Sequence, residues 1–142
     1  MIAYSRAVSV AAASGAWLTP LCMGRPLRLL VVEDHVDSAE LLAELLQHNG
    51  HQVRVATTAS DAMAAASEQT FDIVLSDVGL PDATGYELME QLRERYALKG
   101  IAVTGSGRDS DIERGRRAGF SLHLTKPFSL LKLQQALDEL AG

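Results

Sequence analysis

The chain has 142 residues, 47% hydrophobic and 22% charged, with a net charge of −5 at pH 7. This is the balance of one globular domain with a real core, and its sign argues against bulk attraction to nucleic acid. A single cysteine, Cys22, rules out a disulfide framework or a cysteine-based zinc site and fits a reducing compartment.

Residues 1–25 read as an extension. Arg6 precedes an alanine-rich apolar run from Ala7 to Leu18, which carries some marks of a signal peptide. Thr19-Pro20-Leu21-Cys22 interrupts it without a convincing small-residue cleavage site, and Leu21 before Cys22 suits a lipoprotein signal badly. The plainer expectation is a disordered or loosely helical extension over 1–25, with Met23 as an alternative start and an ordered domain over 26–142. No apolar run reaches about 18 residues, so no membrane span is expected.

From Leu27 the pattern is regular. Leu27 to Val32 is a near-continuous apolar run, as in a strand covered on both faces, and it ends in Glu33-Asp34-His35. Val36 to Asn49 has helical spacing, with Val36, Ala39, Leu42, Leu45 and Leu46 on one side and Asn49-Gly50 as its stop. Gln52 to Thr57 reads as a short strand. Thr58 or Ser60 can cap the alanine-rich helix that ends near Glu68. Ile73 to Ser76 is the next strand and leads into Asp77. Gly79, Pro81 and Gly85 then supply turn chemistry before a helix to Tyr96, with Leu88, Met89, Leu92 and Tyr96 at helical spacing.

Ile101 to Thr104 predicts a fourth strand, followed by a Gly105-Ser106-Gly107 hinge. Asp109 or Ser110 caps a polar helix to Ala118. Leu122 to Thr125 is a fifth strand, broken by Lys126-Pro127, and Ser129 caps a last helix with Leu130, Leu133, Leu137 and Leu140 as its stripe. Five strand–helix alternations imply an α/β domain with a parallel sheet and helices on both faces.

In such sheets, ligands sit beyond the carboxyl ends of the strands. Strand one delivers Glu33 and Asp34 there, strand three Asp77, strand four Thr104 and strand five Lys126. Aspartate at the end of an apolar strand is poorly explained by packing, although alone it also suits a turn cap. Three carboxylates so close repel one another, and a divalent cation relieves this. Oxygen ligands and a neighbouring phosphate suit magnesium. A lysine ammonium and a threonine hydroxyl can then hold phosphoryl oxygens, which makes Asp77 a candidate nucleophile.

Other residues read as structural. Glu33-Asp34 can also serve as the first helix's N-cap region, a role open to His35 or Asp37. His35, His48 and His51 are expected on the surface or in loops, with no defensible metal arrangement. Arg114, Arg116 and Arg117 read as a solvated helix face rather than a nucleic-acid patch.

The motifs VVEDH, LSDVGLPDATG, AVTG and LTKPF, each at a strand end and in this order, resemble the receiver domain of bacterial two-component response regulators, over Leu27 to about Leu140. The resemblance implies a flavodoxin-like doubly wound (βα)5 sandwich with strand order 2-1-3-4-5. It implies a phosphoacceptor at Asp77 and magnesium held by Asp34, Asp77 and the Gly79 carbonyl, with Glu33 acting through a metal-bound water. Lys126 would contact the phosphoryl group, its bond to Pro127 would be cis, and Gly105 would keep space beside the switch hydroxyl of Thr104. The family's aromatic switch residue is replaced here by His123.

A histidine kinase or histidine phosphotransfer protein would be the donor, in the cytoplasm, with an unknown protein downstream. No direct DNA binding is implied. A dimer through the fourth-helix, fifth-strand, fifth-helix face is one arrangement the family uses. No output domain follows in the sequence, so the expectation is a stand-alone receiver. The alternatives are a detached receiver segment of a hybrid histidine kinase, an unphosphorylated interaction module, and a small flavodoxin-like enzyme, for which aromatic residues at 5% are sparse.

Overall fold

The computed structural model describes residues 26–105 and 107–141. The expectations for 1–25, for Met23 and for Ser106 in the hinge lie outside the described residues. In chain order the elements are β1 (Arg28–Val32), α1 (Val36–His48), β2 (Gln52–Ala56), α2 (Ala59–Glu68), β3 (Ile73–Asp77), α3 (Gly85–Tyr96), β4 (Lys99–Thr104), α4 (Asp109–Ala118), β5 (Leu122–Thr125) and α5 (Leu130–Ala141). The strands form one parallel sheet in the order β2-β1-β3-β4-β5. The order reverses beside β1, where β2 lies on one side and β3 on the other, and that reversal opens a crevice at the strands' carboxyl ends.

Alternation along the strands divides the core between the two faces. Leu30, Val32, Val74 and Ala102 point to the layer of α2 and α3, with Phe71 and Phe120. Leu29, Val31, Ile73, Leu75 and Ile101 point to the layer of Leu46, Leu133 and Leu137 from α1 and α5. Both faces are covered, so the strands are apolar almost throughout. The alanine run makes a small-faced helix, with Ala59, Ala62, Ala65 and Ala66 buried against the sheet. The stripes are narrower than the spacing suggests. On α1 the buried residues are Ala39, Ala43 and Leu46, while Val36 and Leu45 are exposed, as is Tyr96 at the end of α3.

Two boundaries depart from expectation. β4 begins at Lys99, not Ile101, because Lys99 and Gly100 pair with Ile73 and Val74. A Cβ at Gly100 would meet Met89 Sδ and lie 3.0 Å from Phe120 Cδ1, so packing between sheet and helices demands glycine. Neither Asp109 nor Ser110 caps α4. Its N-cap is Arg108, which makes no side-chain capping bond, and Asp109 and Asp111 sit inside the first turn, where their charge suits the helix dipole. Elsewhere the capping residues are His35, Thr58, Thr84 and Ser129, each accepting a backbone N–H.

His51 is buried, at 5% exposure, and not on the surface as its place after Asn49-Gly50 suggests. The Leu27 N–H donates to its Nδ1 at 3.1 Å, which leaves Nε2 to donate to Gln134 Oε1 at 3.0 Å. Asn49 Nδ2 donates to the same oxygen at 3.3 Å, and Gln134 Nε2 donates to Asp138 at 3.0 Å. His51 thus ties the start of β1 to α5. Substituting His51→Leu strands the Leu27 N–H and leaves Gln134 Oε1 with one donor fewer. The expected cost is about 2–3 kcal/mol of stability, read from urea unfolding.

Candidate functional site

Strand register assembles the site. Val32 pairs with Ser76, so Glu33, the next residue, comes level with Asp77. Asp77 pairs with Val103, one residue before the end of β4, and Thr104 pairs with Thr125, one residue before Lys126. The chain thus carries Glu33, Asp77, Thr104 and Lys126 to one edge, with Asp34 beside them. Lys126 N–H donates to the Thr104 carbonyl at 2.7 Å, which holds the base of the lysine. The Lys126–Pro127 peptide bond is cis.

The side chains converge. Lys126 Nζ lies 3.3 Å from Asp77 Oδ2 and 3.5 Å from Glu33 Oε1. One carboxylate oxygen from each of Glu33, Asp34 and Asp77 lies within 4.8 Å of the others. The Gly79 N–H donates to Asp77 Oδ1 at 3.3 Å. Burial, then a hydrogen bond to Asp77 and its charge, push the Glu33 carboxyl up to about 7, against the pull of Lys126. Burial acts on Asp77 in the same direction but is outweighed by bonds from Glu33, from the Gly79 N–H and from Lys126, so its carboxyl is held below the usual range. The two neighbouring carboxyls are thus pushed in opposite directions, Glu33 up and Asp77 down.

The donor set fits a hard divalent cation. It is all oxygen, and the three carboxylates gathered within 4.8 Å of one another carry more negative charge than Lys126 offsets. The Gly79 position is open as well, with nothing within 4 Å of where a Cβ would stand.

The 78–84 loop leaves the site through Gly85, whose N–H donates to the Val78 carbonyl at 2.8 Å. A Cβ at Gly85 would penetrate the Asp77 carbonyl oxygen and lie 2.8 Å from Val78 Cα. Both obstacles are backbone, so neither can swing away. Gly85→Ala is therefore expected to displace the Asp77–Val78 peptide and to lower stability by about 1–3 kcal/mol. Thermal unfolding would measure this, and an unchanged midpoint would contradict the close approach.

Thr104 is buried at 6% exposure. By strand alternation it shares a sheet face with His123, which pairs with Ala102 next to it. His123 is half-buried and lines a cavity of about 80 Å³ with Ile112, Gly115 and Arg116 of α4. Gly105 is exposed, with nothing within 4 Å of a would-be Cβ. On the other face an apolar groove of about 470 Å³, lined by Leu41, Leu45, Val103 and Phe128, opens beside Asp77 and Lys126.

The remaining candidates lie away from this point. His48 is exposed on α1. Arg116 and Arg117 pair with Glu113 within their own helix, whereas Arg114 stacks over the Tyr86 ring at 4.4 Å. Sequence reasoning missed Asp82, which accepts N–H groups from Ala59 and Ser60 across the loop. An aspartate after Leu-Pro reads as turn chemistry, and only the fold brings it to another helix.

A five-stranded parallel sandwich with a carboxylate pocket and a facing lysine at its switch point defines a flavodoxin-like α/β domain built around an acidic site. The family model described as response regulator receiver domain matches residues 29–138, and the chain belongs to that family: it is a receiver domain of two-component signalling. Receiver domains are phosphoacceptors that work with histidine kinases or phosphotransfer proteins. The chain is 33% identical over 138 residues to the virulence sensor protein BvgS of Bordetella bronchiseptica, covering 92% of this chain and 11% of that protein. It is 35% identical over 114 residues to an uncharacterized 14.6 kDa protein of Leptolyngbya boryana, covering 78% of this chain and 87% of that one. Among solved structures, the chemotaxis response regulator CheY4 of Vibrio cholerae matches with a TM-score of 0.77 at 26% identity, over 82% of this chain and 99% of that one. The chain thus spans only about a tenth of the length of the sensor it matches. Among the described residues, no helix is long and apolar enough to cross a membrane.

Proposed function

We propose that this receiver accepts a phosphoryl group on Asp77 from the phosphohistidine of a cytoplasmic kinase or phosphotransfer protein. The observation that carries this reading is the Asp77 carboxylate at its strand end, 3.3 Å from Lys126 and within the Glu33–Asp34 cluster. An Asp77 oxygen attacks phosphorus, the P–N bond breaks, and the leaving imidazole keeps the electron pair and takes up a proton. Lys126 moves from the carboxylate pair to a phosphoryl oxygen as a point charge. Thr104 donates its hydroxyl to another.

Asp34, Asp77 and the Gly79 carbonyl would hold Mg2+ directly and Glu33 through a metal-bound water, and the ion would supply charge neutralisation for the transferring group. The groove beside Asp77 gives the donor's apolar side chains a place to lie, against Leu41 and Leu45. Phosphorylation adds about −1.5 to −2 charges and new acceptor oxygens. Thr104 turning toward them vacates space on the sheet face it shares with His123. The change is then read on the surface of α4, β5 and α5 by a downstream protein.

The test is incubation with Mg2+ and acetyl phosphate, followed by intact mass measurement. The expected product carries one phosphoryl group through an acyl phosphate that alkali removes. Absence of uptake with Mg2+ present would overturn the reading.

A further inference from the structure

The loop that would offer the Gly79 carbonyl is closed at its neck. Gly85 N–H donates to Val78 O at 2.8 Å, Gly79 and Thr84 form an antiparallel bridge, and Thr84 and Glu87 make a reciprocal capping box. The loop's two ends are thus tied together, and Asp82 lies in the stretch between them. There Asp82 accepts the Ala59 N–H at 2.8 Å on Oδ1 and the Ser60 N–H at 3.0 Å on Oδ2. These are the first two residues of α2, whose N-cap Thr58 separately takes the Asp61 N–H at 3.0 Å. The two backbone donors hold the Asp82 carboxyl below its ordinary range although the side chain is exposed.

The connection continues back to the site. Ala56, the last residue of β2, accepts the Glu33 N–H at 3.0 Å. Backbone and hydrogen bonds therefore close a circuit from Glu33 through Ala56 to the start of α2, across Asp82 into the loop, and through Gly79 to Asp77. Leu80 and Ala83 pack against the core beneath the loop, but apolar contact tolerates sliding, whereas a carboxylate taking two N–H groups fixes direction.

We propose that Asp82 is a positioning residue for the cation site, clamping the loop to α2 so that the Gly79 carbonyl faces the Glu33–Asp34–Asp77 carboxylates. The inference rests on the reading that this pocket takes a divalent cation. Ligand groups must be held to about 0.5 Å to bind well, and the small, strictly octahedral Mg2+ tolerates less error than a larger ion.

The test is calorimetric titration of the full chain with Mg2+ alone, for the unaltered protein, Asp82→Ala, Asp82→Asn and Thr58→Ala. Asp82→Ala is expected to raise the Kd for Mg2+ about fivefold. Labelling by acetyl phosphate at saturating Mg2+ should return to at least half the unaltered rate, so that the loss is in Mg2+ affinity and not in turnover. Asp82→Asn keeps one acceptor oxygen and is expected to recover part of the affinity. Thr58→Ala removes the other cap of the same helix, so it should lower the melting temperature comparably while leaving the Kd unchanged. A Kd for Asp82→Ala within twofold of the unaltered protein, or an equal rise in Thr58→Ala, would overturn the proposal. Failure of the unaltered protein to bind Mg2+ would remove the cation reading itself, and the inference with it.

Discussion

Asp77→Asn is expected to reduce phosphoryl uptake from acetyl phosphate to background, a loss of at least about a hundredfold, with the fold intact. The carboxamide matches the carboxylate in shape and keeps an oxygen for the Gly79 N–H, which now lies 3.3 Å from Asp77 Oδ1. What it loses is the charge that makes the oxygen a nucleophile and that holds Lys126 at 3.3 Å. Stability should fall only slightly. The Asp77 carboxyl is held below its usual range, so the fold favours its ionised form, and the carboxamide forfeits the pairing with Lys126; relief of repulsion from Glu33 and Asp34 offsets part of this. The unfolding midpoint without Mg2+ should therefore be slightly lower in the variant. Intact mass and peptide mapping measure the labelling, and label persisting in Asp77→Asn would move the acceptor to another residue. A large drop in the midpoint would instead make Asp77 a structural group.

Residue types at strand ends made the site legible before any coordinates. An apolar strand that stops at a charged side chain is anomalous by packing, and Glu33-Asp34, Asp77 and Lys126 each stand at such a stop. The near-continuous apolar run of Leu27 to Val32 implied a strand covered on both faces, and both faces are covered. Features that depend on contact between distant segments were not legible. Gly100 fell outside the expected strand, and nothing local announces that it packs against Met89 and Phe120. His51 reads as loop polarity until the Leu27 N–H and Gln134 enclose it. Arg108 gives no cap signal because α4 has no side-chain cap to announce. Asp82 has the residue type of a turn and acts at 22 and 23 residues' distance, which no local spacing encodes.

The same limit applies to electrostatics. Which carboxylate would carry the proton was not readable from Glu33, Asp34 and Asp77 as a list. The fold sets the directions: burial, then the bond to Asp77 and its charge, push the Glu33 carboxyl up, while at Asp77 burial is outweighed by bonds from Glu33, the Gly79 N–H and Lys126, which hold it down. That division of roles keeps the candidate nucleophile ionised while its neighbour titrates near neutrality.

Mg2+ affinity is accordingly expected to rise about tenfold between pH 6 and pH 8. Cation binding requires the Glu33 carboxyl to lose its proton, and that proton leaves at about 7. One unit below such a pKa roughly a tenth of the group is ionised, and one unit above roughly nine-tenths, which sets the ratio. Asp77, held below the ordinary carboxylate range, is ionised throughout this interval and adds no slope. The sign for stability runs opposite. Without the cation, the folded chain keeps the Glu33 proton at pH values where the unfolded chain, with a carboxyl near 4.5, has lost it. Folding is thus favoured by this group at the acid end, and that contribution is lost as pH rises from about 4.5 to about 7. Saturating Mg2+ should cancel the trend, because the bound ion replaces the proton. Titration calorimetry at pH 6, 7 and 8 measures the affinities, and melting curves with and without Mg2+ measure the stability slope. Glu33→Gln removes the titrating carboxyl and should flatten both profiles, the melting curve losing its fall with pH and the Mg2+ Kd becoming nearly constant. A Glu33→Gln protein that keeps the tenfold rise would assign the titration to another group.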